Sequence, residues 1–239
     1  MPTRDQIEAA VLCMEHLCTH DWHGYSQPGR YGDGEGVCAV DTPIGTCYVQ
    51  QGDRDCSWAD IESYEAAGIS CGGAYWTGDM VECMTSTGNF RAHRTSDGCN
   101  CDDGYVAKRG DAYVAHNGTI QHAAMCTCVD PDELAEFVIS ETGDIDGAVG
   151  DQTGYESRIG SFYCAPWDYV LEVIVSESSN PSLDLGNDAK TCEELAREVL
   201  AGKWGNGWNR KNALDTAYGN GTYEHVQTIV NEMLGLEGC

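Results

Sequence analysis

Basic residues are scarce in this chain. Thirteen Lys and Arg stand against 39 Asp and Glu in 239 residues, a formal net charge of −26. Phosphate binding is driven by Lys and Arg, so nucleic acid is excluded as a partner. Adhesion to anionic surfaces by charge alone is excluded for the same reason. The acidity itself reads as a solubility feature. Long apolar runs are missing too. None approaches the roughly 20 residues of a membrane span, so no membrane insertion is expected. The N-terminus, Met1-Pro-Thr-Arg-Asp-Gln-Ile-Glu8, carries acids where a secretory leader has an apolar centre, and it is read as having no such signal.

Cysteine, by contrast, is plentiful, with fourteen in the chain. Disulfides suit an oxidising place of action, whereas a nucleophilic thiol must stay reduced. With an even total and one thiol kept free, at least one more has no partner within a monomer, the state expected here. Spacing alone does not assign the connectivity. Cys38 and Cys47, in a Gly-rich stretch from His23 to Gly52, read as a pair able to staple that loop.

The pattern along the chain is α+β followed by a small helical unit. Residues 5–20 carry Ile7, Ala10, Val11, Met14 and Leu17 near helical spacing. A second helix follows Asp55-Cys56-Ser57 and closes at Gly68, and a short one follows Gly72–Met80. Strands are read at 109–114, 122–126, 134–139 and 169–175, with turn signals at Asn117-Gly118 and Asp130-Pro131. A domain over 1–175 is therefore expected, then a polar linker over 176–190. The period then changes to 3.6 over 191–239. There Thr191-Cys-Glu-Glu194 reads as a capping box, a middle helix spans about 208–218, and Thr222 caps a last helix, which makes a three-helix unit.

Cys56 is the first residue with chemical promise. A thiol at a helix start feels the positive end of the helix dipole, which is expected to lower its pKa and favour thiolate. His122 opens a downstream strand. Cysteine on a helix N-terminus and histidine on a strand together form the layout of papain-like hydrolases.

Several motifs occur in a familiar order. These are Asp55-Cys56-Ser57, Tyr64–Ile69, Tyr75–Met80, Arg109-Gly-Asp111, His122-Ala-Ala-Met125, Gly150–Gly154 and Pro166-Trp-Asp168. Over roughly 5–175 the chain resembles the bacteriophage peptidoglycan amidases, a branch of the NlpC-like papain-fold peptidases. The tail, with Gly202-Lys-Trp-Gly-Asn-Gly207, Arg210 and Val226–Gly235, resembles the short cell-wall-binding repeat of phage lysins. The stretch between Tyr25 and Asp55 and the Cys99-Asn-Cys101 loop depart from the pattern.

The resemblance implies a papain-like (NlpC-like) domain with a central antiparallel sheet, plus a three-helix repeat. It implies a lysin made in the host cytoplasm that acts on the wall after release. Cys56 would attack a stem-peptide amide and His122 would move the proton. Glu136, on the next strand, would orient the imidazole. Tyr25, Asp55 and Ser57 are the expected oxyanion and substrate contacts. Muropeptide is the expected partner of the tail through Lys203, Trp204, Asn206 and Arg210, although Trp204 reads equally as a plug in the small core. A single repeat limits avidity.

The γ-D-glutamyl bond to the third stem residue is favoured, with the N-acetylmuramoyl–L-alanine amide as the alternative. Rivals of another kind are a non-catalytic wall-binding virion protein and a cytosolic enzyme of muropeptide recycling. No cofactor is expected and no metal. Cys13, His16 and His20 share a helix face, and Cys99-x-Cys101 with Cys126-x-Cys128 offers four thiols, but disulfides or packing account for both sets.

Overall fold

The computed structural model describes residues 1–128, 133–138, 156–164, 167–175, 190, 192–205, 210, 214 and 222–233. The chain divides into two compact units, Met1–Ser179 and Asn180–Cys239.

Helix α1 (Arg4–Thr19) begins with a reciprocal cap. The Thr3 hydroxyl accepts from the Gln6 amide at 3.2 Å, and the Gln6 side-chain oxygen accepts from the Thr3 amide at 3.1 Å. Its buried face carries Ala10, Met14 and Leu17. A hairpin follows, β1 (Val37–Thr42) and β2 (Gly45–Gln50), which turns at Gly45 with φ +104°. Its register sets Cys38 opposite Val49 and Val40 opposite Cys47. Cys38 and Cys47 are therefore not cross-strand partners. Both are free thiols, and the expected staple does not form.

Helices α2 (Cys56–Ala66) and α3 (Thr77–Ser86) precede the main sheet. The sheet is built from β3 (Phe90–Arg94), β4 (Ala112–His116), β5 (Gln121–Cys126), β6 (Glu133–Phe137), β7 (Ser157–Ser161) and β8 (Tyr169–Val173). Its order is β3-β8-β4-β5-β6-β7, and every neighbouring pair is antiparallel. The α+β class and the central antiparallel sheet agree with the sequence reading. Four of the six strands were legible, because both of their faces are covered and they read as apolar runs. The two edge strands, Phe90-Arg-Ala-His-Arg94 and Ser157-Arg-Ile-Gly-Ser161, carry polar and charged residues. Such composition suits an edge and hides it from a hydrophobicity scan.

Alternation sorts the side chains. Ala112, Val114, Ala123, Met125, Ala135 and Phe137 join the core shared with the helices. Tyr113, Ala115, Ala124, Cys126 and Leu134 pack on the opposite face with Trp167. β4 begins later than expected because Arg109-Gly-Asp111 is a turn. Asp111 accepts from the Lys108 amide, the Tyr105 hydroxyl and the Val173 amide at 2.8, 2.7 and 2.9 Å. Gly110 has φ +93° there, and a Cβ on it would meet Ile7 Cγ2 of α1 at 2.3 Å. Arg109 reaches back to Glu8 and Glu15 of α1. A disulfide joins Cys99 to Cys164. It takes one thiol from the Cys99, Cys101, Cys126, Cys128 set, which therefore has no four-thiol zinc site.

In the second unit, α4 (Cys192–Leu200) and α5 (Thr222–Met233) bury Leu195, Ala196, Val199, Val226 and Val230 together with Leu214. Most of the expected middle helix, and the expected cap Thr191, lie outside the described residues.

Candidate active site

Cys56 is the first residue of α2, and the helix starts there because of Asp55. Asp55 is the N-cap. One carboxylate oxygen accepts from the Trp58 amide at 2.8 Å and from the Ser57 hydroxyl at 3.0 Å, and the other pairs with Arg30 at 2.6 Å. The expected substrate contacts Asp55 and Ser57 are thus already engaged with each other and are both buried. Arg30 is held in turn by Tyr75, its guanidinium carbon lying 4.1 Å from the ring centroid. Together with Tyr25, Trp76 and Gln121, these residues line a cleft of about 580 Å³.

The expectation of an acidified thiol does not hold. Cys56 is 7% exposed, and burial pushes its thiol up to about 12, with the Asp55 charge adding to the rise. The backbone amides of Ala123 and Ser57 favour the thiolate, as the helix-start argument anticipated, but they are outweighed. The resting form is the neutral thiol. One turn along α2, Asp60 is fully buried and, among the described residues, neither carboxyl oxygen has a hydrogen-bond partner. Burial drives the pKa of that carboxyl well above the usual range. Tyr25 is also raised, chiefly by burial and then by Cys56, and its phenol stays a proton donor at the cleft wall.

His122 sits at the start of β5, and its Nε2 lies 2.8 Å from Glu136 on β6. Glu136 is 1% exposed. Burial alone would raise its pKa, but hydrogen bonds from His122, Tyr163 and Arg158 hold it below the ordinary value. Tyr163 donates to it at 2.7 Å, and so does Arg158, its register partner on β7. Trp167 stacks on the imidazole with centroids 5.6 Å apart. A buried glutamate on a strand implies a cationic partner, and Arg158 and Tyr163 are the partners that the sequence reading missed. The motif residues Gly150–Gly154 lie outside the described set.

Cys56 reaches the amide of Ala123, the residue after His122. The His122 side chain belongs to the other set in the β5 alternation and faces Trp167. Among the described residues, Cys56 Sγ makes no hydrogen bond to His122. The structure therefore joins two members of the expected trio directly and brings the third alongside β5.

The endolysin-like domain family matches residues 1–127, just over half of the 239-residue chain. The chain belongs to the endolysin-like domain family. The matched region contains both Cys56 and His122 and ends before Glu136. A CW_7 repeat, a cell-wall repeat, matches residues 193–234. An endolysin-like domain followed by such a repeat describes a phage lysin acting on the cell wall. No curated protein matches the chain.

In the repeat of this endolysin-like chain, Glu198 on α4 gathers the expected ligand contacts. Lys203 Nζ and Trp204 Nε1 donate to it at 2.9 and 3.2 Å. Trp204 is half-buried against the small core, so it serves packing. Arg210 donates to the Gly205 carbonyl and to Gln227. Asn206 lies outside the described residues. Among the described residues no helix is long and apolar enough to cross a membrane.

Proposed function

We propose that the chain is a peptidoglycan hydrolase with a papain-like, NlpC-type catalytic unit, and that it cuts the γ-D-glutamyl bond to the third stem residue. One observation carries this reading: a thiol at a helix N-terminus lies against the strand that presents a histidine paired with a buried glutamate. No cofactor enters the chemistry.

Glu136 engages His122 Nε2, which leaves Nδ1 to take the thiol proton. Because the resting thiol is neutral, that proton transfers as Sγ attacks the carbonyl carbon. The imidazolium is stabilised by the Glu136 carboxylate. Its formation requires the imidazole to swing or shift toward Cys56 once substrate fills the cleft. Catalytic hydrogen bonds commonly tighten only at that stage. The tetrahedral oxyanion is met by the Cys56 amide at the head of α2 and by the Tyr25 hydroxyl. The imidazolium then protonates the leaving amine. Water, deprotonated by the same ring, cleaves the thioester and restores the thiol.

The repeat supplies wall contact through Lys203, Trp204, Asn206 and Arg210. One copy gives modest affinity, since avidity comes from linked sites. The bond is tested by mass spectrometry of fragments released from purified walls. A γ-D-glutamyl endopeptidase frees the amino group of the third stem residue. Release of L-Ala amino termini instead would establish the N-acetylmuramoyl–L-alanine amidase.

A further inference from the structure

The end of α1, the loop after it and the hairpin bring together a group that the chemistry at Cys56 does not use. His16, His23 and Cys38 each offer a ligand atom, and these atoms all lie within 4.8 Å of one another. Helical spacing had grouped Cys13, His16 and His20. In the fold, Cys13 instead faces Cys47, and the His20 ring stacks on His16 with its Nδ1 3.0 Å from the His16 carbonyl.

Three details suit a metal. His16 Nε2 is buried and, among the described residues, has no hydrogen-bond partner, which is costly unless something binds it. His23 is fully buried. Its Nδ1 lies 3.2 Å from the Gly52 carbonyl and donates to it, which turns the Nε2 lone pair inward, toward Cys38 Sγ at 3.7 Å. A ligating histidine commonly has its other ring nitrogen fixed in this way. With Zn–N about 2.0–2.1 Å and Zn–S about 2.3 Å, a tetrahedral ion sets N···S at about 3.6 Å.

We infer that His16 Nε2, His23 Nε2 and Cys38 Sγ form a zinc site, with the fourth position taken by water. On binding, the Cys38 thiol gives up its proton to solvent. The ion fastens three segments: α1 through His16, the start of the 20–36 loop through His23, and β1 through Cys38. That loop carries Tyr25 and Arg30, so the site fixes one wall of the cleft. The inference stands whether or not Cys56 is a nucleophile.

The test uses the full chain with zinc alone and cobalt alone. Wild type dialysed against metal-free buffer retains one zinc per chain, and zinc raises the unfolding midpoint of the stripped protein. Cobalt gives a thiolate charge-transfer band that persists in Cys56→Ser and disappears in Cys38→Ser. Cys38 is half-exposed, and the Ser variant is checked for folding by circular dichroism. His16→Gln loses zinc while keeping the native spectrum. Wild type that retains no zinc and gains no stability from it would overturn the inference. So would a cobalt band, or a zinc content, unchanged by Cys38→Ser.

Discussion

At the scale of single residues, the environment of Cys56 decides how the chemistry starts. Its placement at a helix start was legible in Asp55-Cys56-Ser57, but the protonation state was not. Dipole and amide effects are local and visible in sequence. Desolvation comes from the whole fold, and here it wins, raising the thiol to about 12. In the resting protein, alkylation of Cys56 by iodoacetamide should be slow at neutral pH and still be rising above about pH 9, well past the ordinary thiol value. A plateau near neutrality would show a preformed thiolate.

Glu136 makes the complementary case. It was identified by the resemblance, as the matching position on the strand after His122, whereas Arg158 comes from an edge strand that hydrophobicity does not reveal and Tyr163 from the segment just after it. Glu136→Gln should cut kcat by about a hundredfold or more while KM changes little, because it removes stabilisation of the imidazolium. The sign of its pH effect follows from its depressed pKa. The stabilisation is full above the unfolded value of about 4.3 and is lost as pH falls through the lower folded value. The midpoint of wild type should therefore fall more steeply on acidification than that of Glu136→Gln.

At the scale of elements, caps and ties hold the cleft in place. The Thr3–Gln6 capping box starts α1, and Thr3→Ala should cost about 1 kcal/mol in denaturant unfolding. Asp111 has a larger role. It satisfies two backbone amides and a tyrosine hydroxyl at the turn that joins α1 to β4 and β8, so Asp111→Ala should cost about 3 kcal/mol or more. The Arg-Gly-Asp turn was read as strand because the residues that follow it, Ala112-Tyr-Val114, are apolar. Its tertiary bonds, to Tyr105 and Val173, lie 6 and 62 positions away and leave no local signal. The Cys99–Cys164 bridge spans 65 positions. Replacing both cysteines by serine should cost about 3 kcal/mol, a typical value for a bridge closing a long loop.

At the scale of the whole molecule, two compact units match two families, an endolysin-like domain and a CW_7 repeat. In the sequence, the expected division rested on the change from mixed periodicity to a 3.6-residue period, which reflects how a helical unit builds its own core. The charge of −26 keeps the chain from clinging to anionic polymers without specific contacts. Residues 1–179 alone should keep turnover on soluble muropeptides and lose co-sedimentation with sacculi. Equal sedimentation of the truncated and full-length chains would remove the repeat from wall binding.

The most direct measurement is the digestion of purified cell walls by wild type and by Cys56→Ala at equal folded concentration, followed by turbidity and by the appearance of new amino termini. A thiol nucleophile predicts clearing by wild type and none above background by the variant. Equal clearing by both, or by neither, would contradict hydrolysis at the head of α2.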